Sequence, residues 1–176
     1  TYLGPEMKST GEVMGIDFEF RPAVAKALMA AGMTLPPEGT ILLSISDRDK
    51  AEAVQMIQDL AGANYTFYAT GGTADLIEGL DLDAKVNRIS RRLAAHPNVL
   101  DVILDGTVDA VVNTVTGDRE VLQDGFHIRR AAVDIRIPCF TSLDTARAAV
   151  ESMVGSGVEY NVKPMSEYLA GPPTTA

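Results

Sequence analysis

Short runs of apolar residues alternate along the chain with segments whose apolar residues recur at helical spacing. The runs are typical of buried strands, whereas segments such as Val24, Leu28 and Ala31 are typical of helices with one buried face. The pattern predicts strands at 40–45, 65–69, 84–86, 109–113 and 137–141, and helices at 18–32, 46–62, 74–79, 98–104, 123–136 and 143–154. We therefore expect an α/β fold in three layers, α/β/α, with a five-stranded, mostly parallel sheet between helices.

The segment Tyr65–Thr73 combines a predicted strand, a Thr-Gly-Gly-Thr turn and the start of a helix. Backbone N–H groups and the helix dipole at such a junction suit a phosphate or carboxylate, and glycine permits close approach and a positive φ. Two interpretations stay open. Thr70, Gly71, Gly72 and Thr73 form an anion site, or they form a tight turn in which Thr73 merely caps the helix.

Further polar side chains follow the other predicted strands. Because right-handed crossovers bring the carboxyl ends of parallel strands to one edge, where ligands of open α/β sheets bind, we expect these side chains to converge. Lys50, at the start of the second helix, can reach the same edge. The converging residues are Ser44, Ser46, Thr70, Thr73, Asn87, Arg88, Asn113, Thr114, Thr116 and Thr141. Hydroxyls, amides and two cations suit a phosphate and a ribose, and the set has no obvious base or nucleophile.

Composition narrows the class of protein. The chain has 176 residues, which fits one domain, and its net charge of −9 argues against nucleic-acid binding. No apolar run is long enough for a membrane span, and one cysteine, Cys139, excludes an internal disulfide and fits the cytoplasm. His96 and His127 lie too far from it in sequence to suggest a metal site. Because the first residue is not methionine, we expect a fragment.

Six segments occur in an order that resembles the C-terminal end of the carbamoyl-phosphate synthase large subunit. They are LGPEMKSTGEVMGID at 3–17, LLSISDRDK at 42–50, ATGGT at 69–73, VNR at 86–88, VNTVTG at 112–117 and IRRAAVDIRIP at 128–138. The resemblance implies a methylglyoxal-synthase-like fold and three parts. Residues 1–17 would be the tail of the preceding ATP-grasp half, residues 18–154 the regulatory domain, and residues 155–176 a C-terminal tail.

The same resemblance implies an allosteric, non-catalytic domain in an enzyme of pyrimidine and arginine biosynthesis. Such domains bind nucleotide monophosphates, UMP or IMP, while ornithine binds between the domain and the second ATP-grasp half, near Thr141. Cys139 replaces an aromatic residue there. The implied partners are the remainder of the large subunit, the small glutaminase subunit and a second copy of the domain. No cofactor is expected in this fragment, since ATP and Mg would bind in the missing parts of the parent enzyme.

Individual residues also match the family's nucleotide site, with some departures. The matching residues are Ser44, Lys50, Thr70, Thr73 and Asn113. Arg88 stands where bacterial members usually have lysine, which keeps the charge but changes the geometry. Val115 stands where a second threonine often donates a hydroxyl, and Thr116 can substitute for it. Residues 90–97, SRRLAAHP, replace a Glu-Gly-Arg-Pro-His motif.

An alternative interpretation is a lyase of the methylglyoxal synthase type, acting on a small phosphorylated sugar. That chemistry needs a carboxylate base beside the phosphate. Residues 90–97 contain no carboxylate, and Asp118 in the next loop is the one stand-in. We therefore expect binding of a phosphorylated metabolite without turnover.

Overall fold

The protein is described by a computed structural model, which covers residues 11–91, 95–114, 119–154 and 162–171, with only the backbone for 119–123. Within these residues lies one five-stranded sheet in which every pair of neighbouring strands is parallel. Its strands are β1 (Thr40–Ser44), β2 (Thr66–Thr70), β3 (Val86–Ile89), β4 (Ala110–Asn113) and β5 (Cys139–Phe140), in the order β3-β2-β1-β4-β5. The predicted fold class is confirmed.

Helices cover both faces of this sheet. They are α1 (Phe20–Ala30), α2 (Lys50–Gly62), α3 (Gly71–Gly79), α4 (Val99–Leu104), α5 (Arg119–Asp134), α6 (Leu143–Met153) and α7 (Met165–Leu169). Apolar residues of α1, α2, α3 and α6 form one core with the sheet, and those of α4 and α5 form a second core on the other face. None of the described helices is both long and apolar enough to cross a membrane.

The central strand β1 supplies side chains to both cores. Ile41 and Leu43 belong to the first core, while Leu42 between them belongs to the second, and all three are fully buried. Successive strand residues point to opposite faces, so a strand covered on both sides is apolar throughout. This explains why the continuous run at 40–45 indicates a central strand.

Strand β3 lies further along the chain than predicted. The apolar residues favoured 84–86, but Ala84 donates its backbone N–H to Leu82 in a local turn, and the pairing with β2 runs from Val86 to Ile89. The polar residues Asn87 and Arg88 are therefore within the strand. They are tolerated because β3 is an edge strand with part of its surface in solvent.

Helix α3 begins three residues earlier than predicted. Thr70 is its extended N-cap residue, and Gly71 and Gly72 are its first two residues rather than a separate turn. Neither glycine has a positive φ, so backbone freedom does not explain their presence. Thr73 does not cap the helix either, so the interpretation of this stretch as a turn capped by Thr73 is wrong.

The last strand is shorter than predicted, and α5 is longer. Only Cys139 and Phe140 pair with β4, since Pro138 has no N–H to donate and takes part through its carbonyl oxygen alone. Helix α5 begins at Arg119 rather than at 123 and ends at Asp134, after which Arg136 has a left-handed backbone, φ 61°.

The segment before α1 and the helix α7 are tied to the domain by Lys26. Its Nζ lies 2.7 Å from Asp17 Oδ2, 2.8 Å from the carbonyl oxygen of Ile16 and 2.8 Å from the hydroxyl of Tyr168. The hydrogen bond from Lys26 lowers the pKa of Asp17. Residues at the boundary predicted near 17 therefore pack onto the domain. The division into three parts stays a prediction.

Candidate functional site

Three of the predicted site residues form a row at the carboxyl edge of the sheet. Asn113 is the register partner of Ser44, and Thr70 Oγ1 lies 3.4 Å from Ser44 Oγ on the other side. All three are buried: the exposed fraction is 2% for Ser44, 8% for Thr70 and 0% for Asn113. A row of polar side chains at the end of an otherwise apolar sheet is the expected floor of a ligand site in this class of fold.

The β1–α2 loop crosses this row and is held from both sides. The backbone N–H of Ile45 donates to Thr73 Oγ1 at 3.0 Å, and that of Ser46 donates to Thr114 Oγ1 at 2.9 Å. Thr73 and Thr114 are both buried. Their hydroxyl oxygens therefore hold the loop between α3 and the end of β4. The sequence pattern assigned both threonines to ligand contact, and that assignment stays a prediction.

Lys50 stands directly beside the first turn of α3. A Cβ placed on Gly72 would lie 2.7 Å from Lys50 Nζ, whereas nothing lies within 4 Å of one placed on Gly71. The absent side chain of Gly72 thus makes room for the ammonium group. The cation and the unpaired N–H groups at the start of a nine-residue helix meet at one place, which favours an anion there.

Two carboxylates also lie at this edge, and the sequence interpretation missed both. Asp47 Oδ1 is 2.6 Å from Lys50 Nζ, and Asp49 Oδ2 accepts from the Ser46 hydroxyl at 2.7 Å. The hydrogen bond from Lys50 lowers the pKa of Asp47, and that from Ser46 lowers the pKa of Asp49. A general base works best with a pKa near the operating pH, so both carboxylates are weak bases.

The amide of Asn113 has no hydrogen-bond partner within the described part of the chain, for either its nitrogen or its oxygen. The residue is fully buried. Leaving such a group unpaired costs roughly 1–3 kcal/mol, and proteins rarely keep one without a reason. A bound polar ligand at the end of β4 would supply both partners.

The side chain of Arg88 lies on the face of the sheet that α3 covers. Its register partner, Ala69, belongs to the first core, and its guanidinium contacts Glu78 and lies 2.8 Å from Asp75, both on α3. Half of its side chain is exposed. The structure therefore pairs this cation with two carboxylates, and its predicted role at the anion site stays a prediction.

Thr141 lies further out than the buried row. Thr141 follows β5 directly and is exposed, at the opposite edge of the sheet from β3. Thr116, Val115 and the alternative base Asp118 lie outside the described residues. No group of histidine, cysteine or acidic side chains that could hold a metal ion occurs in the described ranges.

A small cavity at the same edge involves Arg91, one of three arginines that fall within five residues of the sequence, with Arg88 and Arg92. It has a volume of about 220 Å³ and is lined by Ile45, Ser46, Asp47, Arg48 and Arg91. The Nε of Arg91 is buried and has no hydrogen-bond partner among the described residues. Three arginines in five residues were the only signal in the sequence, and nothing in it separated Arg91 from its neighbours.

Comparison with known proteins decides the family. Residues 52–141, about half of the chain, match the family model described as MGS-like domain. The chain belongs to the MGS-like domain family. The matched segment contains Thr70–Thr73, Arg88 and Asn113 and most of α2, whereas Ser44 and Lys50 lie just before it.

Several relatives are carbamoyl phosphate synthase large chains. One from Thermomicrobium roseum is 46% identical over 168 residues, which is 94% of this chain and 15% of the relative. Another, from Methanobrevibacter smithii, is 40% identical over 172 residues, 97% of this chain and 16% of the relative. A C-terminal section of the large chain from Methanopyrus kandleri is 42% identical over 151 residues, 86% of this chain and 28% of the relative.

This MGS-like domain therefore spans less than a third of the length of these relatives. The predicted resemblance to the C-terminal part of the large chain is confirmed. The relatives are longer chains, of which the matched part is 15–28%.

Proposed function

We propose that this MGS-like domain is the effector-binding domain of a carbamoyl phosphate synthase large chain. It binds a phosphorylated metabolite of the UMP or IMP type and does not turn it over. The fully buried amide of Asn113 at the end of β4 carries this proposal, because in the described part of the chain its donor and acceptor have no partner and a nucleotide can satisfy both.

The phosphate group of the ligand is assigned to the start of α3. Lys50 supplies a positive charge there, and Gly71, Gly72 and Thr73 supply backbone N–H groups in the first turn. Charge-assisted hydrogen bonds of this kind are roughly twice as strong as neutral ones. The sugar or base is assigned to the Asn113 side of the row, where Ser44 contributes its hydroxyl.

Regulation would require that the ligand bind one state of the parent enzyme more tightly than another. An isolated domain can bind, but it has nothing to regulate. The proposal therefore separates into binding, which this chain can display, and transmission to the ATP-grasp parts, which needs the longer protein. An ornithine contact at Thr141 belongs to the second part, because that residue is exposed and lies away from the row.

Calorimetry of the chain against UMP, IMP, inorganic phosphate and ornithine tests the binding step. We expect UMP or IMP to bind, and Lys50→Ala to weaken that binding by about 1.5–3 kcal/mol, the usual contribution of a hydrogen bond to a charged group. Lys85→Ala is the matched control, since Lys85 is exposed and directly precedes β3, at the amino end of the parallel strands. Equal losses in the two variants would overturn the assignment of the phosphate to Lys50.

The absence of turnover has its own assay. Incubation with dihydroxyacetone phosphate should release no inorganic phosphate, because the lowered pKa values of Asp47 and Asp49 make both carboxylates poor proton acceptors. Production of methylglyoxal that disappears in Asp118→Ala would restore the lyase interpretation instead.

A further inference from the structure

The cavity at the β1–α2 loop reaches beyond the strands that the proposed nucleotide site uses. Its volume is about 220 Å³, and its lining residues come from two loops, 45–48 after β1 and Arg91 after β3. Strand β2 lies between those two strands in the sheet. The cavity therefore joins loops that follow two strands on either side of β2, and Asp47 in its lining is paired with Lys50.

The side chain of Arg91 spans this distance. Neighbouring strands lie about 4.8 Å apart, so a residue that follows β3 must reach across roughly 10 Å to meet the loop after β1. The backbone after β3 and the arginine side chain cover it together, since Arg91 lines the same cavity as residues 45–48. Its Nε is buried and lacks a hydrogen-bond partner among the described residues, so one N–H donor of the guanidinium group stays available at the cavity.

The competing arginine is already engaged. Arg88 contacts Glu78 and Asp75 on the flank of α3, and half of its side chain faces solvent. To bind a phosphate, Arg88 would have to give up its contacts with both carboxylates. Arg91 lines the cavity beside Asp47, whose own carboxylate is 94% exposed and is paired with Lys50.

We propose that Arg91, and not Arg88, is the second phosphate-binding cation of the site, acting with Lys50 on a phosphate monoester. This inference rests on the proposed function and assigns it a further residue. The planar guanidinium presents parallel N–H donors that match two phosphate oxygens, whereas Lys50 acts as a point charge. Together the two residues hold the phosphate from the α2 side and from the β3 side.

Calorimetry with UMP and with inorganic phosphate tests this on the unaltered chain and four variants. We expect Arg91→Ala to weaken binding of both ligands by about 10-fold or more. Arg91→Lys keeps the charge but loses the two parallel N–H donors, so its affinity should lie between that of the unaltered chain and that of Arg91→Ala. Arg88→Ala should change either affinity less than 2-fold, as should the control Arg130→Ala, which removes an exposed arginine paired with Asp134 on α5.

The outcomes separate the two proposals. Unchanged affinity in Arg91→Ala, with a loss in Arg88→Ala, would overturn the inference and leave the proposed function standing. No binding of UMP, IMP or phosphate by the unaltered chain would overturn the proposed function, and the inference with it. Should Arg91→Ala fail to fold in a thermal unfolding experiment, the Arg91→Lys variant decides the question, because affinity equal to that of the unaltered chain would contradict a bidentate contact.

Discussion

Replacing Gly72 with alanine isolates the contact between α3 and the lysine of the site. The added Cβ would lie 2.7 Å from Lys50 Nζ, and ordinary van der Waals contact begins at 3.4 Å. The ammonium group must therefore move by at least about 0.7 Å. The matched change Gly71→Ala adds the same methyl group one residue earlier, where nothing lies within 4 Å.

The displacement is large relative to a hydrogen bond. An ammonium–phosphate contact is typically about 2.8 Å long, and a shift of about 0.7 Å brings it to roughly 3.5 Å, where the bond is lost. We expect Gly72→Ala to weaken binding of UMP or IMP by about 10-fold, which corresponds to ~1.4 kcal/mol. Stability should not fall, because alanine favours a helix over glycine and neither glycine has a positive φ.

Isothermal titration calorimetry on both alanine variants, with thermal unfolding alongside, measures the two quantities. A double-mutant cycle with Lys50→Ala adds the decisive comparison, since Gly72→Ala should cost nothing further once the ammonium group is gone. Equal affinities of Gly71→Ala and Gly72→Ala, or additive losses in the double variant, would refute the reasoning.

Three further predictions concern affinity and stability. Asn113→Leu should raise the free energy of unfolding of the ligand-free chain by about 1–3 kcal/mol, because it removes a buried amide that has no partner among the described residues. It should also abolish nucleotide binding in calorimetry, whereas lower stability would show that the amide has a partner. Asp47→Asn should tighten phosphate binding, because the exposed pair is broken and Lys50 is then free for the ligand; weaker binding in calorimetry would contradict this. Asp17, whose pKa is lowered by the hydrogen bond from Lys26, should stabilise the fold above pH 3.8 and lose that contribution as the pH falls through its folded pKa. The melting temperatures of the unaltered chain and of Asp17→Asn should therefore converge in acid, and a constant difference would argue against the pair.

The sequence predicted the strands best where both faces of the sheet are buried, because such strands are apolar throughout. The run at 40–45 predicted a buried strand, and the convergence of Ser44, Thr70 and Asn113 follows from parallel strands and right-handed crossovers. Edge strands gave a weaker pattern because solvent accepts polar side chains there. This is why β3 lies at Val86–Ile89 rather than at 84–86.

Side-chain directions could not be predicted in the same way. Thr73 and Thr114 carry hydroxyls that suit a ligand, yet each accepts a backbone N–H of the β1–α2 loop, a tertiary contact that spacing does not reveal. Arg88 and Arg91 are both basic residues at or beyond the end of one strand. Their different environments depend on strand alternation and on the acidic residues of α3.

The most direct test is a crystal structure of the chain with UMP or IMP bound. The account predicts that the phosphate lies between Lys50 Nζ and the first turn of α3, and that the amide of Asn113 gains hydrogen bonds to the nucleotide. A nucleotide bound elsewhere, with that amide still unpaired, would contradict it.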